Sequence, residues 1–154
     1  MASTPAVSDQ DSLAADVRAI FDDLARQLPH DQRAYSGECH PAIDVRENDA
    51  AVQVIVDVAG VPPTALRVRF RAGVLLVAGE KAPPADNGHH SFHLVERAFG
   101  RFARAVRLAG AFDVTACRAT LRDGELTILL PKRTERRGQA HDIAITVPGA
   151  DIRT

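Results

Sequence analysis

Two periodicities divide the chain. Leu13, Val17, Ile20, Phe21, Leu24 and Leu28 recur at helical spacing, with Asp16, Arg18, Asp22, Asp23 and Arg26 on the other faces. The spacing predicts an amphipathic helix over residues 12–28, about four turns long, capped by Ser8 or Ser12 and ended by Pro29. The polar, Gly- and Pro-punctuated stretch PHDQRAYSGECHP then reads as a linker. From residue 41 the period becomes two. Val52, Val54, Val56 and Val58 alternate with Ala51, Gln53, Ile55 and Asp57, and Leu66, Val68 and Phe70 alternate with Arg67, Arg69 and Arg71. Residues 74–78 form a continuous apolar run, as in a strand covered on both faces. Phe102, Val106, Leu108, Leu121, Leu126, Ile128 and Leu130 continue the theme, with turn signals GVPP, RAG, APPADNG and RDGE between them. Short strands this closely spaced, with no helix to cross between parallel strands, predict an all-β antiparallel sandwich.

The tail breaks the pattern. After KRTERRGQAHD comes Ile143-Ala144-Ile145 and then Val147, three apolar side chains that an extended segment turns to one face. That strip either folds back as a last strand of its own domain or docks elsewhere.

Composition sets bounds on these elements. A length of 154 residues suits one domain with flanking arms, and 45% hydrophobic and 25% charged residues are ordinary for a globular protein. Aromatics are scarce, at 5% with no Trp, so the core must rest on Val, Leu, Ile and Ala. A net charge of −1 argues against a dedicated binder of nucleic acid or of anionic membrane. Cys39 and Cys117 are too few for a disulfide framework and read as thiols of a reducing compartment. The first residues lack a basic start followed by an apolar run, and no segment has the length of a membrane span, so a cytoplasmic protein is expected.

Catalytic chemistry finds no constellation. Residues 73–81, GVLLVAGEK, have the wrong glycine spacing for a phosphate loop and no Ser or Thr after the lysine, so they read as a strand. His89, His90 and His93 with Asp86 lie in a Pro/Gly-rich loop without the spacing of a tight metal site. Glu96-Arg97, near Phe92 and Phe99, suits a salt bridge at a subunit contact better than an acid–base pair. The arginines at 67, 69 and 71 have no interleaved exposed aromatics for stacking bases and read as a solvated strand face. No Gly-x-Ser-x-Gly elbow occurs. No catalytic residue, metal or cofactor is expected.

Several stretches, in this order, resemble the small heat shock protein family, bacterial type, whose core is the α-crystallin domain. They are HPAIDVREND, VDVAGVPPTALRVRF, GVLLVAGEK, FHLVERAFGRFARAVRLAG and CRATLRDGELTILLPK, with IFDDL similar to the family's N-terminal arm. Ala59 and Ala109 stand where the family usually has Pro, and Glu125 where it usually has Val; Ala loses a preset turn dihedral without forbidding the turn.

The resemblance implies an immunoglobulin-like sandwich at residues 41–132, an arm with helix and linker at 1–40, and a flexible C-terminal extension at 133–154. It implies an ATP-independent holdase with no catalytic residues, a dynamic oligomer built from dimers. Its partners would be copies of itself and partly unfolded clients, with no nucleic acid and no specific membrane binding. The helix face Leu13, Val17, Ile20, Phe21, Leu24 and Leu28 would bind clients. Ile143 and Ile145 match the family's Ile-x-Ile, which docks in a groove of a neighbouring subunit; they are expected outside the sandwich core. An arm of about a dozen residues reaches roughly 40 Å when extended, enough to span to that neighbour. The groove is expected between strands 66–70 and 102–108, lined by Leu66, Val68, Phe70, Phe102 and Val106. The dimer is expected through the loop of residues 81–95, where 91–94 would add a strand to the partner's sheet, with Phe92, Leu94, Glu96 and Arg97 at the contact. The alternative is a p23-like co-chaperone, a related sandwich acting as a monomeric binding module, though it lacks the amphipathic arm and the Ile-x-Ile tail.

Overall fold

Alternation decides the architecture. The computed structural model of the chain describes residues 7–27, 39–85, 88–133 and 140–149. In β2 (Ala51–Asp57) Val52, Val54 and Val56 are buried and Gln53 and Ile55 half-buried, as in a strand with one face on a core. They pair antiparallel with Leu130, Ile128 and Leu126 of β8 (Glu125–Arg133), all buried in turn. β1 (Ile43–Glu47) and β7 (Arg118–Arg122) flank this pair, so the first sheet runs β1-β2-β8-β7. The short β6 (Ala111–Phe112) also pairs with β8. The second sheet runs β5 (Gly100–Arg107), β4 (Val74–Lys81), β3 (Leu66–Arg71). Its inward residues, among them Val68, Phe70, Leu75, Val77 and Phe102, share one core with the first sheet. The expected β-sandwich is the observed one.

The run at 74–78 is explained by two coverings. Leu75 and Val77 enter the core between the sheets, whereas Leu76 and Ala78 belong to a second cluster on the outer face. There α1 (Val7–Gln27) lies over β4, with Ile20 and Leu24 buried against them and Leu13, Val17 and Phe21 packed around. Each such buried aliphatic contributes about 1.5–3 kcal/mol before the helix's ordering is charged against it.

Two expectations need correction. The helix begins at Val7, so Ser8 and Ser12 lie within it rather than capping it. Leu28 and Pro29, like Asp86, lie outside the described residues. The β3 arginines are not a solvated face, because α1 brings acids to them. Asp23 accepts from Arg67 at 2.9 Å, and Asp16 lies 3.1 Å from Arg69 and 3.3 Å from Arg71.

Cys39 and Cys117 are free and half-buried. Burial, and then the nearby Asp113 carboxylate, push the Cys117 thiol from 9.0 to about 11. Two consequences are expected. At pH 8 the folded protein should hold roughly a hundredfold less Cys117 thiolate than an unfolded chain, so alkylation followed by mass spectrometry should spare Cys117 until denaturant is added. Because the fold keeps this proton, stability carried by the thiol should fall as pH rises from about 9 towards about 11. Equal labelling rates in folded and unfolded protein would refute the first.

Candidate functional site

The sandwich has an open side between β3 and β7, the edge strands of the two sheets, and the tail closes it. β9 (His141–Asp142) pairs antiparallel with β3, and the Ile143 amide donates to the Val68 carbonyl at 2.9 Å. Two residues on, β10 (Ile145–Thr146) pairs in parallel with Ala119 and Thr120 of β7, and the Thr146 hydroxyl donates to the Ala119 carbonyl at 3.3 Å. The tail thus crosses from one sheet to the other. Spacing by two turns both isoleucines inward, Ile143 at 8% exposure and Ile145 half-buried, while Ala144 between them faces solvent. A cleft of about 380 Å³ remains beside them, lined by Pro63, Leu66, Arg67 and Val68 on the sandwich.

This placement corrects the expected groove. Its second wall is β7, not the strand of residues 102–108, because β4 lies between β3 and β5 in the sheet. Phe102, Val106 and Phe70 are buried in the core between the sheets, whereas Leu66 and Val68 do meet the tail. Ala119 and Thr120 were missed; the alternation in RATLR marks a strand but not its neighbour. In this single chain the tail lies on its own sandwich, and Ile143 joins the core that was expected to exclude it.

The loop after β4 carries the other expected contact. Residues 91–99 have no strand pairing among the described residues, and Phe92, Leu94 and Val95 are 67%, 73% and 60% exposed. Glu96 and Arg97 are exposed as well; the Arg97 guanidinium sits 5.1 Å from the centre of the Phe99 ring, which Lys81 approaches at 5.9 Å. Three large apolar side chains within four residues are thus exposed together. β1, at the far edge of the first sheet, pairs with β2 on one side and shows Val45 to solvent.

No group of three His, Cys, Asp or Glu among the described residues is placed to hold a metal ion, and no helix among them is long and apolar enough to cross a membrane.

A two-sheet sandwich whose open side accepts an Ile-x-Ile strand is the architecture of α-crystallin domains. The chain belongs to the Hsp20/alpha crystallin family, whose model matches residues 44–146. It is 34% identical over 124 residues to the 19.0 kDa class II heat shock protein of Oryza sativa, covering 73% of this chain and 71% of that one. It is 26% identical over 99 residues to small heat shock protein C4 of Rickettsia felis, covering 64% of this chain and 61% of that protein. A second rice relative, an 18.9 kDa heat shock protein, is matched over 60% of its length, so the chain spans about three fifths of both. Among solved structures, heat shock protein 16.0 from Schizosaccharomyces pombe aligns with a TM-score of 0.61 and 30% identity over 71% of this chain and all of that one. A small heat shock protein from Xylella fastidiosa, described as having a distinct high order structure, aligns with a TM-score of 0.56 and 29% identity, over 66% of this chain and 95% of that one.

Proposed function

We propose that the protein is an ATP-independent holdase of the cytoplasm, which captures partly unfolded proteins before they meet one another, as a dynamic oligomer built from dimers. The observation that carries this is that two apolar surfaces of the sandwich are covered by segments from the two ends of the chain itself. α1 covers Leu76 and Ala78, and Ile143 and Ile145 cover the β3–β7 cleft. A client with exposed apolar surface competes for the same places. Lifting α1 presents Leu13, Val17, Ile20, Phe21 and Leu24 together. No bound nucleotide is needed for such an exchange, since each covering is worth only a few kcal/mol. The test is light scattering of a heated client with and without the protein, in the absence of ATP. Aggregation as fast with the protein as without it would overturn the proposal.

The tail that lies on its own cleft here would, in the assembly, lie on a neighbour's. Residues 134–140 give it roughly 23 Å of extended chain, which suits either arrangement. In the dimer, residues 91–94 would pair along the partner's open β1 edge, burying Phe92 and Leu94 and protecting an edge otherwise prone to aggregation. Deleting residues 84–90 is therefore expected to give monomers by sedimentation at concentrations where the intact protein is oligomeric. A deletion variant that stays dimeric would refute this interface. A native mass of one chain for the intact protein would favour the p23-like reading.

Removing residues 1–36 should leave a folded, β-rich dimer, because the cluster under α1 is separate from the core between the sheets. That dimer should protect a heated client poorly and form no large particles. Undiminished protection would move client capture away from the helix.

A further inference from the structure

Arg69 holds two acids, and they come from opposite ends of the chain. Its Nη1 donates to Asp16 Oδ1 of α1 at 3.1 Å, while its Nε donates to Asp142 Oδ1 of the tail at 2.7 Å and its Nη2 to Asp142 Oδ2 at 3.4 Å. The other oxygen of Asp16 lies 3.3 Å from Arg71. Asp142 pairs with Arg69 in the β3–β9 ladder and immediately precedes Ile143. The side chains of Arg69 and Asp16 are 23% and 16% exposed, and that of Asp142 is 73% exposed. One guanidinium is thus the point at which the helix on the outer face and the tail on the open side meet.

We infer that Arg69 couples the two docking events, so that release of the tail loosens the helix and release of the helix loosens the tail. A guanidinium is a planar fork of five donors on a long, rotamer-rich stem. The first acid to dock orders that stem, and the second then meets an arginine already fixed. The ordering loss is shared only when both are bound, which is positive coupling and is reciprocal by thermodynamic necessity. Repulsion between Asp16 and Asp142 opposes it, but Arg71 beside Asp16 balances two carboxylates with two guanidiniums. The hydrogen bond that Arg69 donates to Asp142 also raises the Arg69 pKa more than any other contact does, so the tail's acid is a principal partner of this arginine. The coupling does not depend on whose tail is docked. A neighbour's Asp142 in the same cleft would meet the same Arg69, and detaching it would loosen the helix of the receiving subunit. Nor does it rest on the holdase reading, because it concerns two segments of the chain and not a client.

Hydrogen exchange read by mass spectrometry on the full-length protein tests it. Asp142→Asn should speed exchange of the amides of residues 7–27 by about threefold, although it touches no helix residue, and Asp16→Asn should speed exchange at residues 142–146 by a similar factor. In an Arg69→Gln background, neither substitution should affect the distant segment. Arg69→Lys, which keeps the charge without the fork, serves the same purpose where the glutamine variant folds poorly. If Asp142→Asn changes exchange only in the tail, or still changes the helix once Arg69 is gone, the coupling through Arg69 is refuted. Client protection is not part of the readout, so this result and failure of the holdase assay are distinguishable.

Discussion

Replacing Gly79 with alanine is expected to destabilise the sandwich by about 3 kcal/mol or more, at the upper end of overpacking changes. Gly79 sits inside β4, paired with Leu66 of β3 on one side and Phe102 of β5 on the other. A methyl group there would lie 2.5 Å from the Ala65 carbonyl oxygen, 2.7 Å from Cζ of Phe102 and 3.1 Å from Cδ2 of Leu66. The Phe102 ring might turn aside if it stood in a loop, but it is buried in the core and has nowhere to go. The Ala65 carbonyl belongs to the backbone of the short turn leading into β3, so relief requires that backbone to shift. Against a typical stability of about 5–15 kcal/mol, such a loss should lower the melting temperature by about 10–20 °C. Gly79→Val should not fold. Thermal unfolding followed by circular dichroism checks this, and a melting temperature within about 2 °C of the parent would show that the site tolerates a side chain. The glycine that looked faintly like part of a phosphate loop is therefore a packing residue whose absent side chain makes room for Phe102.

What sequence alone could reach follows from the range of each interaction. Local periodicity marks which residues of a strand face inward, so Val52, Val54 and Val56, and Leu126, Ile128 and Leu130, were legible as core. The double burial of residues 74–78 was legible too, since only a strand covered on both faces tolerates an unbroken apolar run. The RDGE turn was readable because a tight hairpin needs positive φ at its centre, and Asp123 and Gly124 have φ of 52° and 79°. Periodicity does not say which strands are neighbours. Hence the cleft was placed between β3 and the wrong partner, and Ala119 and Thr120 were overlooked. The acids facing the β3 arginines lie 44 and 53 residues away along the chain, from Asp23 to Arg67 and from Asp16 to Arg69, and no local pattern links them. Ile143 and Ile145 stood out because two apolar residues on a polar tail are conspicuous. Asp142 beside them did not, since nothing local shows that it pairs with Arg69 across the β3–β9 ladder, 73 residues away along the chain. The loop of residues 91–94 marks the opposite limit: its apolar side chains were readable, but the strand expected there involves a second chain, which a single chain does not test.

Changing Ile143 and Ile145 together to glycine is expected to take the assembly apart to dimers. Ile143 is buried and Ile145 half-buried, so the pair loses up to about 2.5–4 kcal/mol of apolar burial per arm, an upper bound because the unfolded reference is itself partly compact. The freed tail regains conformational entropy, about 1 kcal/mol or more per released residue, which enlarges the shift towards the open state. The short backbone pairings with β3 and β7, the Ile143 amide to Val68 and the ion pair of the exposed Asp142 with Arg69 do not hold an arm alone. A particle joined by many such arms depends on their simultaneous engagement, so weakening each one by this amount removes the avidity altogether. Client capture should persist or rise, because Leu66 and Val68 are uncovered when the tail leaves. Light scattering for mass, thermal unfolding for stability and client protection for activity give three separate readings. Loss of mass with an almost unchanged melting temperature places the arm on a neighbour. An unchanged mass with a melting temperature several degrees lower would mean that the tail serves as the last strand of its own sandwich, as it lies in the single chain, and the trans-docking proposal would then fail.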